Sequence, residues 1–378
     1  MNSCFWRFAL VACAALALAG CGNKETKEAL QKATTLEDQK QYEDANEVLL
    51  DALQARETKI RAGSPTPTDP DSVDALTKKV ESDPEILKME RAQIPIYLGL
   101  ERADKASAVY SDILAGHPGD TVVTDLLQDK DPLVRTGAVR TLGLIGKPDA
   151  IPALTGATKD EVQDVRRAAV AALGTIKNPA SVDPLLAALK DSYWFVRSEA
   201  AASLGEESDP RAIKPLFDAV SDSDSNVQSS AESALLQLCL APGASADEFA
   251  GRLSDSNPKI VMLSAICLVQ MKDLRAVPVL TKLTTSPDLT TRLEALKGLG
   301  ETGDPSVIPT LRQTLTDPDV NARGWSIIGL GNLKDQASLP ALQALAADAQ
   351  QPASIRAAAS AAVAHISGSA DTPAPTGP

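Results

Sequence analysis

From about residue 129 onward, apolar stripes of helical period alternate with short polar turns. In the stretch opened by Asp131-Pro132-Leu133-Val134-Arg135, the residues Val134, Ala138, Leu142 and Ile145 recur three and four apart. That spacing puts them on one face of a helix. Near its end stands a Leu-Gly pair, Leu142-Gly143, and after a short loop comes a second apolar run, Ile151-Pro152-Ala153-Leu154. Proline there predicts the start of a second helix, where its missing N–H costs nothing. Asp149, or Ser181 in the next copy, is placed to cap that helix.

The unit recurs with Val165-Arg166, Ala169, Leu173-Gly174 and Pro184-Leu185-Leu186, then with Val196-Arg197, Ala200, Leu204-Gly205 and Pro215-Leu216. Later copies carry Arg292, Leu299-Gly300 and Pro309, followed by Arg323, Leu330-Gly331 and Pro340. Aligned on the arginine, the copies fall at 135, 166, 197, 228, 261, 292, 323 and 356, with steps of 31, 31, 31, 33, 31, 31 and 33. So regular a period predicts helix pairs that stack, each burying its stripe against its neighbours. Arg135, Arg166, Arg197, Arg292, Arg323 and Arg356, with the upstream Asp131, Asp191, Asp255, Asp288 and Asp317, read as a structural ladder of hydrogen bonds within and between repeats. The glycine after leucine is expected to let the two helices of one unit approach closely. The fourth and fifth copies depart: Gln228 and Val261 replace the arginine, Leu236 and Val269 the glycine. Bulk at a close-packing position predicts helices that separate or change their crossing angle.

These residues resemble the HEAT family, in particular the short repeats first recognised in phycobilisome lyases, over roughly residues 120 to 368. The resemblance implies an all-α solenoid of about eight stacked helix pairs over 119–368, a fold used mainly for binding other proteins. The segment before it resembles tetratricopeptide repeats. Gln41-Tyr42-Glu43-Asp44-Ala45 with Val48, Leu49, Ala52 and Leu53 looks like the second half of one such unit, although Glu57 stands where a proline is expected. Tyr97, Ala106, Tyr110 and Pro118 match better, with the family's steps of 4 and 12 after Ala106. Residues 29–118 are therefore expected to form tetratricopeptide-like helical hairpins, interrupted by a Pro-rich linker at 62–72; residues 369–378 read as a disordered tail.

The first 21 residues, MNSCFWRFALVACAALALAGC, carry a different signal. Arg7 and the N-terminal amine precede an apolar run from Phe8 to Ala19, which is too short for a stable transmembrane helix. The run ends in Leu18-Ala19-Gly20-Cys21, which resembles the lipobox of bacterial lipoproteins. The resemblance implies a signal peptide at 1–20, a diacylglyceryl group on the Cys21 thiol, and a lipidated tether at 21–28. Two or three acyl chains hold a protein to a membrane where one is marginal. Gly22, in place of aspartate, favours the outer membrane by likeness to enterobacterial sorting. The expected location is the cell envelope, facing the periplasm or the exterior.

Composition narrows the partners. A net charge of −13 with no basic run excludes nucleic acid and anionic lipid surfaces as the main target. Aromatic residues make up only 3% of the chain, as suits thin layers of small aliphatic side chains. Cys239 and Cys267 sit in apolar contexts and read as buried structural thiols. Counted from the repeat origin, Cys239 lies 11 residues along its helix and Cys267 lies 6 along its own. Five residues are about 7.5 Å of rise, so a disulfide, which needs alpha-carbons within about 7 Å, is not expected.

Catalytic patterns do not assemble. Some HEAT-like proteins are enzymes; deoxyhypusine hydroxylase holds di-iron on His-Glu pairs. The two histidines here, His117 and His365, precede Pro118 and Ile366, and read as surface or capping residues. Gly143-Leu144-Ile145-Gly146-Lys147 has the wrong glycine spacing for a phosphate loop, with Pro148 where Ser or Thr is required. No metal, cofactor or nucleic acid is expected. The reading is a scaffold or adaptor that binds proteins or peptides of the cell envelope, with a phycobilin-lyase-like or oxidoreductase-like enzyme as the alternative. Candidate contact residues are Tyr193, Trp194 and Phe195, where other copies carry Pro, Leu, Ser or Asn, and Trp325, where aligned copies carry Gly137 or Ala168.

Overall fold

The computed structural model describes residues 24–64 and 70–368, and every regular element among them is helical. The expected signal peptide with Cys21, the middle of the expected Pro-rich linker and the expected C-terminal tail lie outside the described residues. The chain divides into two compact units, residues 1–203 and 204–378.

In the first unit, α1 (Lys24–Asp38) and α2 (Tyr42–Ala62) pair, α3 (Pro70–Glu81) follows, and α4 (Pro84–Gly99) pairs with α5 (Ala103–Gly116). Helix α1 begins inside the segment expected as a tether, and Lys24 and Glu28 form an i,i+4 ion pair in its first turns. The Pro-rich linker is likewise shorter than expected. Ala62 ends α2, and Pro70, Asp71 and Ser72 form the first turn of α3, where proline fits without loss. Ala33, Ala45, Leu49, Met89 and Ile96 make the core of this N-terminal layer. Ala106 and Tyr110 are buried, and the Tyr110 hydroxyl donates to the Asp120 carbonyl at 2.6 Å.

After a short turn of helix, α6 (Val122–Asp125), come α7 (Pro132–Ile145) and α8 (Ile151–Ala157), α9 (Gln163–Ile176) and α10 (Val182–Ala188), and α11 (Trp194–Glu207), which reaches the division between units. The second unit continues with α12 (Ile213–Ala219), α13 (Ser225–Leu238) and α14 (Ala246–Ala250), then α15 (Pro258–Gln270) and α16 (Ala276–Leu283). It ends with α17 (Leu289–Glu301) and α18 (Ile308–Gln313), α19 (Val320–Asn332) and α20 (Leu339–Ala347), and α21 (Ala353–Ser367). From α7 onward, odd numbers are the first helices of the repeats and even numbers the second. The fold is an all-α solenoid of stacked helix pairs.

Local chemistry sets the helix ends. Asp131, Asp224, Asn257 and Asp319 cap first helices by accepting backbone amides two residues on. First helices other than α13 stop on a left-handed residue: Gly146, Gly303 and Gly368, but also Lys177, Ser208, Lys272 and Lys334. A side chain in that conformation costs about 1 kcal/mol. Lys177→Gly is therefore expected to raise stability by about 0.5–1 kcal/mol in urea titration. The second helices start differently from expectation. A single 3-10 turn precedes several of them, and Asn178, Asp209 and Asp304 cap those turns. Asp149 lies within such a turn, and the buried Ser181 hydroxyl caps nothing.

The glycines after leucine also act elsewhere than expected. A Cβ on Gly143 would lie 2.8 Å from Ala172 Cβ, one on Gly174 2.7 Å from Ser203 Cβ, and one on Gly300 2.8 Å from Gly329 Cα. The close approach is thus between first helices of successive repeats, not between the two helices of one unit. Position +8 from the arginine of one repeat meets position +6 of the next. Helices α7 and α9, and likewise α17 and α19, touch along much of their length, whereas α13 and α15, with Leu236 in place of glycine, touch far less.

Candidate protein-binding surface

The arginine ladder orients the aromatic residues, so it comes first. Arg135 Nη1 donates to the carbonyls of Asp129 and Lys130, six and five residues back, at 2.7 and 3.4 Å. Arg166, Arg197, Arg292 and Arg323 repeat that pair of bonds, and Arg356 makes the shorter-range one to Gln351. In each case the guanidinium closes the turn that leads into its own helix. Arg135 and Arg166 also reach the next repeat, gripping Asp160 and Asp191 with two parallel bonds each at 2.7–3.0 Å.

The ladder's aspartate therefore stands six residues before the arginine. Asp191 has three tasks: its carboxylate accepts from Arg166 and from the Tyr193 amide, and its carbonyl accepts from Arg197. Of the aspartates expected in the ladder, Asp191 fills that role. Asp317 offers its carbonyl to Arg323 and its carboxylate to the Asp319 amide, and Asp255 accepts the Asn257 amide. Asp131 and Asp288 are corrections: they cap helices α7 and α17. Asp131 additionally pairs with Lys40. Asp129 and Asp160, missed in the sequence, hold the ladder position; a 31-residue step back from Asp191 would have found both. Gln228 substitutes for the missing arginine by donating to the Asp222 carbonyl at 2.7 Å. Burial alone would raise the Asp191 carboxyl. The Arg166 and Tyr193 hydrogen bonds and the charges of Arg166 and Arg197 outweigh it and hold the carboxyl below the usual range.

Directly on this anchored turn stand Tyr193, Trp194 and Phe195. Their rings run in a row, with centroids 6.0 Å apart for Tyr193–Trp194 and 4.8 Å for Trp194–Phe195. All three are half-buried. Arg167, from the preceding repeat, covers the Phe195 ring at 4.7 Å. In the second unit Trp325 is half-buried as well, with Lys297 Nζ 5.6 Å from its ring. In the first two repeats its position is filled by small residues packed against the preceding layer: Gly137 lies against Leu98, and Ala168 is buried. A tryptophan there cannot withdraw completely and leaves part of its ring at the surface. The aromatics are thus neither fully exposed nor core, and a cation from the previous repeat lies over Phe195 and over Trp325.

His117 is exposed at the end of α5, and the His365 ring shares a hydrogen bond with the Gly331 carbonyl at 2.9 Å, tying α21 to α19. Cys239 and Cys267 are buried free thiols. The +8 to +6 stagger of successive helices removes two of the five residues of offset between them and leaves three. The described residues contain no group of three His, Cys, Asp or Glu side chains placed to hold a metal, and no helix long and apolar enough to cross a membrane.

A second electrostatic feature links the N-terminal hairpin to the first repeat. Lys40 pairs with Asp131 at 2.9 Å and Lys130 with Asp38 at 3.6 Å. Glu37 lies among these groups, half-buried, and its carboxyl is pushed up to about 7 by burial and by Asp129 and Asp38, against the pull of Lys130. An acid with a raised folded pKa favours the docked state below its unfolded value of about 4.3 and loses that advantage as pH rises to about 7. Stability of the first unit is expected to fall across that window, and Glu37→Gln to remove this component. Urea midpoints measured at pH 5 and pH 8 for both chains check it.

A family model described as HEAT repeats matches residues 116–174, 156–236 and 281–364. Among solved structures, YibA of E. coli is 22% identical over 65% of this chain and 92% of its own, with a TM-score of 0.44. The CpcE–CpcF phycocyanin lyase complex from Nostoc is 20% identical over 65% of this chain and 93% of that one, with a TM-score of 0.32. The structure of Kap95p with RanGDP is 13% identical over 95% of this chain and 56% of that one, with a TM-score of 0.59. At these identities the likeness concerns the fold alone. Compared by sequence with curated proteins, the chain matches none.

Proposed function

The chain belongs to the HEAT-repeat family, and from that premise we propose that it is a protein-interaction scaffold or adaptor without catalysis of its own, held at a bacterial envelope membrane by lipid on Cys21. The observation that carries the binding role is the aromatic row at the start of α11. Tyr193, Trp194 and Phe195 keep ring surface at the solvent on a turn fixed by Asp191, Arg166 and Arg197. Rigid, half-seated aromatics and arginine are the side chains that dominate binding energy in protein interfaces. Their order in the free chain lowers the entropy lost on association. Trp325 offers a separate contact in the second unit. Kap95p, with which the chain shares its fold, binds RanGDP, an instance of such an array engaging a folded protein. The tetratricopeptide-like hairpins of residues 29–118 would add a second protein-binding element.

Chemical crosslinking in native membranes, followed by capture of the chain and mapping of the linked residues, tests this reading. Lys190 and Lys214 flank the aromatic row in sequence. Links from them to one recurrent protein are the expected result, and links scattered among many proteins count against it. The anchor has its own test, supported by the Leu18-Ala19-Gly20-Cys21 run. Cys21→Ala is expected to move the protein from the salt-washed membrane pellet to the soluble fraction. A variant that still pellets removes the lipid from the account and leaves the binding surface in place.

A further inference from the structure

The joint between the fourth and fifth repeats combines three departures. Val261 stands where other repeats have the ladder arginine, Leu236 stands where they have the packing glycine, and both described cysteines lie here. Cys239, at the end of α13, places its Sγ 3.1 Å from the Leu236 carbonyl and 3.0 Å from Oε1 of Gln270 on α15. Cys267, on α15, places its Sγ 3.8 Å from the Leu235 carbonyl on α13. Leu235 and Leu236 present adjacent carbonyls of one helical turn, so the two thiols converge on the same patch of α13 from opposite helices.

We propose that Cys239 and Cys267 form a reversible disulfide that fastens α13 to α15, making this joint of the array responsive to thiol oxidants. Other joints are held by an Arg–Asp rung, as at Arg135–Asp160, or by direct helix contact, as at Gly300–Gly329. This one has the Lys259 hydrogen bond to Gln228 at 3.1 Å and the Lys259–Glu232 ion pair at 3.5 Å. A covalent link here constrains a pair of helices that otherwise touch far less than α7 and α9 or α17 and α19.

The chemistry is asymmetric. The Cys239 thiol is lowered by its hydrogen bond with Cys267, against burial, while Cys267 is raised by the same bond, by burial and by the charge of Cys239. Cys239 is therefore the attacking thiolate. It displaces one thiolate from a small disulfide oxidant such as oxidised glutathione and becomes a mixed disulfide. With the Cys239 charge consumed, Cys267 loses its proton to solvent and attacks the Cys239 sulfur, expelling the second glutathione. One Sγ–Sγ bond forms, the oxidant's S–S bond breaks, and the two electrons leave with two molecules of thiol.

The test uses the full chain incubated with oxidised glutathione, both folded and during refolding from denaturant, so that burial of the thiols does not decide the outcome. Peptides mapped without reductant are expected to show Cys239 joined to Cys267, with loss of both alkylatable thiols and their return after dithiothreitol. In Cys267→Ala, which places the alanine found at Ala172 and Ala234 of other repeats, Cys239 is expected instead to accumulate a glutathione adduct. Two alkylatable thiols after both treatments, or a stable glutathione adduct on Cys239 of the unsubstituted chain, overturns the proposal. Neither result bears on whether the array binds protein.

Discussion

Asp191→Ala is expected to destabilise the first unit by about 2–4 kcal/mol, toward the range for breaking a largely buried ion pair. The carboxylate is only 11% exposed and Arg166 14%. Its loss leaves the guanidinium without its two-bond partner and the Tyr193 amide without its cap. Asp191→Asn keeps an acceptor for that amide but not the charge, and is expected to cost about half as much. Because repeats fold with some independence, the readout is amide hydrogen exchange across residues 163–207, where protection is expected to fall most. The pH dependence has the opposite sign to that of Glu37. A carboxyl held below its usual range adds stability above the unfolded value of about 3.9, and that stability is lost as pH falls through the folded value. Asp160, lowered by Arg135 and the Val162 amide in spite of burial, behaves alike. The ladder is thus expected to weaken below about pH 4, and Asp191→Ala to flatten that acid limb.

Gly300→Leu carries the second large effect. Even a Cβ there meets backbone, 2.8 Å from Gly329 Cα, with no flexible side chain to yield. Overpacking of this kind costs about 1–3 kcal/mol, and here it also pries α17 from α19. Gly156, in α8, is the control: a Cβ there has nothing within 4 Å. Gly156→Ala is expected to be neutral or to stabilise by about 0.5–1 kcal/mol. Equal losses in the two variants, measured by urea titration, would mean that the glycine contact is not what seats successive repeats.

The helices themselves were legible because Val134, Ala138 and Leu142, and their counterparts at each 31-residue step, mark the buried face directly. Stacking register was not. A period shows which residues are equivalent, but not that Gly143 meets Ala172 two positions out of step. The same stagger sets Cys239, at position +11 of its repeat, level with Gln270 at position +9 of the next. The ladder was half legible: the arginines stood out, whereas two aspartates per turn, Asp129 and Asp131 for example, differ in role by which amide they accept. Glu37 gave no signal at all. Its raised pKa comes first from burial and then from Asp129, which lies 92 positions away in the chain. Trp325 was flagged by replacing small residues, and the same substitution accounts for its being half-buried rather than exposed.

If the aromatic row binds another protein, one paired measurement separates that role from packing. Trp194→Ala and Trp325→Ala are compared with the unsubstituted chain in two quantities: melting temperature, and recovery of the recurrent crosslinked protein from native membranes. Truncating a binding hot spot costs about 2 kcal/mol or more, roughly thirtyfold in affinity. Truncating a packing tryptophan instead costs about 3–5 kcal/mol of stability. Recovery of the partner is expected to fall by about that thirtyfold factor for Trp194→Ala, with the melting temperature changed little. Undiminished recovery from a chain that melts early would contradict the account and make the row a packing feature of the repeat.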